Sequence, residues 1–142
     1  METKAEYQIS TSVHEGILEI VVTGEVADDA VNKLMNEGIA IIRSMNASAL
    51  IVDFRALKRH FGYVEAYQNL RRLPDDIRRV NTALLDIQEN AAFASFFETT
   101  ARNASIPLKW FTDIDSARAW LKGRQEVGSR SARDSGQDEK GR

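Results

Sequence analysis

The run Ile106-Pro107-Leu108-Lys109-Trp110-Phe111-Thr112-Asp113-Ile114-Asp115-Ser116-Ala117-Arg118-Ala119-Trp120-Leu121 constrains the fold more than any other part of the chain. It reads as a strand that passes directly into a helix. Pro107 has no amide hydrogen for an interior ladder position, so it opens the strand, and Leu108 to Phe111 suit a pleated, packed surface. Asp113 or Asp115 then caps a helix in which Ala117, Trp120 and Leu121 fall at i, i+3 and i+4, a single apolar stripe. Such a stripe lies back on the sheet that the strand has just joined.

The elements before it follow the same logic. Tyr7 to Val13 and Ile17 to Thr23 are strand-like runs separated by His14-Glu15-Gly16, where Gly16 suits the positive φ of a short antiparallel hairpin. Asp28 or Asp29 opens a helix carrying Val31, Leu34, Met35, Gly38, Ile39, Ile42 and Met45 at helical spacing. Gly38 falls on its apolar face, where a glycine costs about 1 kcal/mol against alanine, and the expected reason is close approach to the sheet. Ala49 to Phe54 is apolar except for Asp53, as expected of a parallel strand covered on both faces. Tyr63 to Leu73 reads as a second helix, stopped by Pro74. Ala83 to Ile87 is a further strand, and Asn90 caps a helix in which Phe93, Phe96, Phe97, Thr100 and Ala101 share a face. The order β-β-α-β-α-β-α-β-α implies an α/β fold with a single mixed, mostly parallel five-stranded sheet and right-handed crossovers.

A chain of 142 residues, 43% apolar and 28% charged, with a formal net charge of -2, fits one α/β domain, assigned to residues 1–122. From Gly123 to Arg142 aromatics are absent and Gly, Ser, Arg, Asp and Lys dominate, so residues 123–142 are expected to be a disordered polar tail. There is no cysteine, which removes disulfides, thiolate nucleophiles and cysteine-bound zinc together. The N-terminal Met-Glu-Thr-Lys-Ala-Glu has no apolar signal region and no apolar run approaches the ~18 residues of a spanning helix. A cytoplasmic protein with no integral membrane segment is expected. The near-neutral balance argues against a nucleic-acid partner, for which a basic excess is usual.

The element order, the apolar Leu50-Ile51-Val52-Asp53-Phe54 strand, and the Trp110-Phe111-Thr112-Asp113 and Ala119-Trp120-Leu121 ending together resemble the SpoIIAA-like family, relatives of the STAS domains of anti-sigma-factor antagonists. The resemblance spans about residues 7 to 121 and implies a regulatory, non-catalytic module. In members that antagonise anti-sigma factors, a phosphorylatable serine beside an aspartate follows the strand matching Ala49 to Phe54. Here residues 53–62 contain Asp53 but neither serine nor threonine. The resemblance therefore implies partner binding without that phosphorylation switch. The same fold group is similar to CRAL-TRIO lipid-binding domains, which implies a lipid or other apolar small-molecule carrier as an alternative.

Two clusters are candidate sites. The first is the loop after the third strand with the start of the second helix: Asp53, Arg55, Lys58, Arg59, His60, Tyr63 and Tyr67. Basic side chains near a helix start favour an anion or an acidic partner surface, and aromatics with arginine are common at interfaces. The competing explanation is a solvated helix face whose arginine stems cover apolar surface. The second cluster is Asp53, Asp86 and Asp113, each at or near the carboxyl end of a strand, where open sheets bind ligands. Three converging carboxylates would hold a hard cation such as magnesium in a phosphoryl-transfer or receiver-like site, whereas isolated ones terminate strands and cap helices.

No catalytic residue is assigned: His14 and His60 have no partner at metal-ligand spacing, and no nucleophile elbow is present. The phenylalanines of the third helix either line an apolar cavity or form ordinary core. The expectation is thus a non-enzymatic module with no cofactor that binds a partner protein or small ligand, with a homodimer left open.

Overall fold

The computed structural model describes residues 6–59, with the backbone alone at Arg59, and residues 62–125. In chain order the elements are β1 (Tyr7–His14), β2 (Ile17–Glu25), α1 (Val31–Met45), β3 (Ala49–Asp53), β4 (Leu57–Arg59), α2 (Tyr63–Arg71), α3 (Asp75–Arg78), β5 (Asn81–Leu85), α4 (Ala91–Asn103), β6 (Leu108–Phe111) and a last helix, α5, over 114–125. Single 3-10 turns, Asp28–Ala30 and Gln88–Asn90, lead into α1 and α4.

β1 and β2 pair antiparallel, and β2, β3, β5 and β6 follow as parallel neighbours, giving the strand order β1-β2-β3-β5-β6. This is the mixed, mostly parallel sheet expected from the sequence. The hairpin between β1 and β2 closes through two residues with positive φ, Glu15 at 55° and Gly16 at 81°, the backbone that a two-residue turn of twisted strands requires. Gly24, with φ of 90°, is confined to glycine as well, because a Cβ there would collide with the carbonyl oxygen of Glu6.

Several boundaries differ from the sequence expectation, each for a local reason. A sixth strand, β4, pairs with the part of β2 that runs beyond β3: Leu57 lies opposite Gly24 and Arg59 opposite Glu25. Three residues with a single apolar anchor, Leu57, carry too little pattern to be read as a strand. Pro74 does not merely stop α2, which ends at Arg71; it is the N-cap of the separate short helix α3. β5 lies over Asn81–Leu85, so Asp86 and Ile87 belong to the loop that follows. Asn90 makes no side-chain cap on α4, and its amide instead donates to Asp86 Oδ1 at 2.9 Å. The last helix runs through residue 125, past the domain end expected at 122; the remainder of the expected tail and His60 lie outside the described residues.

The two faces of the sheet are covered unequally. Leu18, Ile20, Val22, Leu50 and Leu84 pack beneath α1 to α4, among Val31, Leu34, Leu70, Phe93 and Phe97. The opposite face, Ile17, Ala49, Ile51, Ala83 and Leu85, meets Ala117 and Leu121 of α5, with Phe111, Ile114 and Trp120 at the margin. Asp113, not Asp115, starts α5, its Oδ2 accepting from the Ser116 amide at 2.9 Å. Arg118 grips buried Glu19 of β2 with two hydrogen bonds, Nε to Oε2 at 2.8 Å and Nη2 to Oε1 at 3.1 Å. Lys122 pairs with Glu15 in the hairpin turn, and Arg124 Nε donates to Asn81 Oδ1 at 2.9 Å. Among the described residues no helix is long and apolar enough to cross a membrane.

Beneath α1 the packing is incomplete. A cavity of about 120 Å³ lies between α1 and the sheet, walled by Ile20, Leu34, Ile42, Leu50, Leu84 and Phe97 and bordered by Gly38. The close approach expected at Gly38 is absent: a Cβ built there has no neighbouring atom within 4 Å. Voids of this size forfeit on the order of 3 kcal/mol relative to a filled core, at roughly 24 cal/mol per Å³. The expected outcome for Gly38→Ala is stabilisation by about 1 kcal/mol, from helix propensity plus a methyl placed in empty space. Denaturant unfolding measures it, and a destabilised variant would contradict the open space seen here.

Candidate functional site

The carboxyl ends of β3, β5 and β6 define one edge of the sheet, and the loop after β3 is closed by its own side chains. Asp53, 7% exposed, accepts three hydrogen bonds from Arg55: from its backbone N at 3.0 Å, Nε at 3.1 Å and Nη2 at 3.0 Å. An aspartate bonded to the amide two residues on fixes a tight turn, and the bidentate guanidinium compensates its buried charge. The Asp53 hydrogen bonds, aided by the charges of Asp53 and Asp113, raise the Arg55 guanidinium above its usual range. The fork expected to receive an external anion is thus engaged within its own loop. Lys58, in β4, is exposed.

Asp53, Asp86 and Asp113 are not assembled into a cation site. Asp86 is fully buried, and its Oδ1 accepts from the Ile87 amide and Asn90 Nδ2, both at 2.9 Å, while its carbonyl oxygen accepts from Trp110 Nε1 at 3.2 Å. Asp113 is exposed and caps α5; the Ser116 amide is the main cause that holds its carboxyl below the usual carboxylate range, with the Arg55 charge contributing. Among the described residues no three His, Cys, Asp or Glu side chains are placed to hold a metal ion. The physical reason is local: each carboxylate serves the backbone or side chains of the turn that it terminates.

The other expected site residues lie on or beside α2. The stripe Ala66 and Leu70 is buried, whereas Tyr63 and Tyr67 are each 48% exposed. Tyr63 is stacked on Phe96 of α4, ring centroids 4.7 Å apart and 10° from parallel, and lies 5.8 Å from the Phe93 ring. Tyr67 receives the guanidinium of Arg71 at 5.9 Å from its ring centroid. Val64, 63% exposed, was not singled out by the sequence, although it stands at i, i+3 and i+7 with Tyr67 and Arg71 on the outward face. Ile87, 37% exposed in the loop after β5, is a second omission, since it reads locally as the end of a buried strand. The structure thus brings Tyr63 and Tyr67 together with Val64 as an exposed apolar strip, flanked by exposed Arg71 and Arg72. Of Arg59 and His60 no side-chain placement is described.

The phenylalanines of α4 are core: Phe93 and Phe97 are buried and stack at 5.6 Å. The cavity under α1, at about 120 Å³, falls short of the roughly 300–1,000 Å³ of drug-sized ligand sites, so it does not hold a lipid-sized guest.

Comparison with solved structures places this geometry in a known fold. An anti-sigma factor antagonist from Mycobacterium paratuberculosis superposes with a TM-score of 0.58 at 15% identity, over 82% of this chain and 95% of that one. A protein of the DUF3478 family with a SpoIIAA-like fold from Shewanella loihica PV-4 superposes with a TM-score of 0.52 at 14% identity, over 85% of this chain and 98% of that one. The chain has a SpoIIAA-like α/β fold. No protein-family model and no curated protein matches its sequence.

Arg55→Ala should leave a nearly buried carboxylate with its turn loosened. Because the Arg55 side chain is partly in water, the expected loss is about 1 kcal/mol, toward the low end for a broken pair. Asp53→Asn in the Arg55→Ala background should recover part of it. Equal stability of Arg55→Ala and the unaltered protein in denaturant unfolding would refute the latch.

Proposed function

We propose that this chain is a non-catalytic binding module of the STAS type that docks a partner protein on the outward face of α2 and the adjoining loop after β3. The observation that carries this reading is the strip of Tyr63, Val64 and Tyr67, three large side chains left about half exposed or more on a helix that buries Ala66 and Leu70 on its other side. Aromatic side chains paired with arginine are the groups most often found at the centre of interfaces, and contiguous exposed apolar surface usually marks a contact site. Exposed Arg71, against the Tyr67 ring, and exposed Lys58 in the segment between β3 and α2 favour an acidic partner surface. The fold shared with an anti-sigma factor antagonist supports a protein rather than a small molecule as the bound species.

Residues 53–62 offer no serine or threonine hydroxyl, so occupancy of this surface is set by partner concentration rather than by a phosphate added in the β3 loop. In this reading Asp53 shapes the docking loop through Arg55, and Asp86 and Asp113 hold their own turns.

The test is capture of native partners on the immobilised full chain, followed by mass spectrometry and a binding titration of the protein recovered. Lys58→Ala combined with Tyr67→Ala should weaken binding of that protein by about tenfold or more, as loss of an aromatic anchor does, while leaving thermal unfolding within the small range of surface changes. Retained affinity in this variant would remove α2 as the docking face.

A further inference from the structure

The cavity beneath α1 lies on the inner side of the helices, apart from the strip on α2, and a different set of observations bears on it. Its wall is apolar throughout, apart from Thr82, whose hydroxyl already donates to the Val80 carbonyl oxygen at 3.0 Å. A water held there lacks the two to four polar partners that buried water requires. The space therefore stays dry or takes an apolar guest.

Two unfavourable choices coincide at the same place. Gly38 stands in the interior of a fifteen-residue helix, where glycine is among the poorest helix formers, and its missing side chain faces open space rather than a closely approaching neighbour. Neither the backbone, which is helical there, nor the packing calls for glycine. What the missing side chain does achieve is to keep the cavity open. Met35, Ile39 and Leu73 line both the cavity and a surface groove that also contains Asn32, Asn36 and Arg72, so these three side chains stand between the two. All three are half-buried, and Met35 is unbranched and adaptable, which suits a side chain that must swing aside.

We infer that this cavity is a binding site for a small uncharged apolar molecule no larger than about benzene, admitted between α1 and the chain just after α2. The volume, about 120 Å³, sets the size limit, since a dry apolar cavity of roughly 150 Å³ takes up benzene or xenon. The unbroken apolar lining sets the chemistry, because a charged guest would lose its hydration without compensation.

The probe is benzene, with benzoate as its charged counterpart, added to the full chain. Benzene should raise the midpoint of thermal unfolding in a saturable manner, as any ligand of the folded state does, and benzoate at equal concentration should not. In methyl-labelled protein the signals of Ile42, Leu50 and Leu84 should move with benzene, whereas those of Val13 and Val64 should not. Gly38→Leu should lower the benzene affinity by about tenfold or more by occupying the space. The methyl shifts of the unaltered protein decide the matter if that variant fails to fold. Absence of a saturable response, an equal response to benzoate, or shifts scattered away from the cavity wall would overturn the assignment.

Discussion

Strand β3 is buried on both sides, and this one constraint organises the molecule. Leu50 faces the layer of α1 to α4 and Ala49 and Ile51 face α5, so neither surface of the central sheet can be left to water. A two-residue hairpin can join β1 to β2, but every later parallel connection must cross over, and each crossover brings helix to a face. The crossovers supply one face generously. The other depends, among the described residues, on the closing helix, whose position is registered by Arg118 on Glu19.

The carboxyl edge of the strands is held by its own side chains. Asp113 caps α5 there, close enough to Arg55 for their charges to act on each other, and Arg55 in turn closes the turn around Asp53. The carboxylates of this edge are consequently occupied with holding its turns. Val64 and Tyr67 stay exposed on α2, outside these contacts.

The strand and helix patterns were legible in sequence wherever short-range rules act. Pro107 before a strand, Asp113 three residues before Ser116, and Ala117 with Leu121 on one stripe each report a local geometry that tertiary contacts then confirm. Ala49 to Asp53 reads as two-sided because alternation is missing. What was illegible depends on distance in space. The partnership of Leu57 with Gly24 needs knowledge of how far β2 outruns β3, and the true partner of Asn90, Asp86, is set by a turn rather than a helix. Arg55 looked available to a ligand since nothing in a sequence says which way a guanidinium folds. Gly38 is the clearest case: the same glycine reads as close packing or as empty space, and only the surroundings that the fold brings to it separate the two.

The dependence of the sheet on its closing helix is tested most directly by denaturant unfolding of Leu121→Ala. Leu121 is fully buried against Ile17, Ala49, Ile51 and Leu85, so the substitution opens the core of the second face and leaves the first untouched. The expected result is a single cooperative transition weakened by about 2–5 kcal/mol, the range for a buried leucine. A loss near the ~0.5 kcal/mol typical of surface positions would mean that α5 is an accessory and that the sheet does not need it.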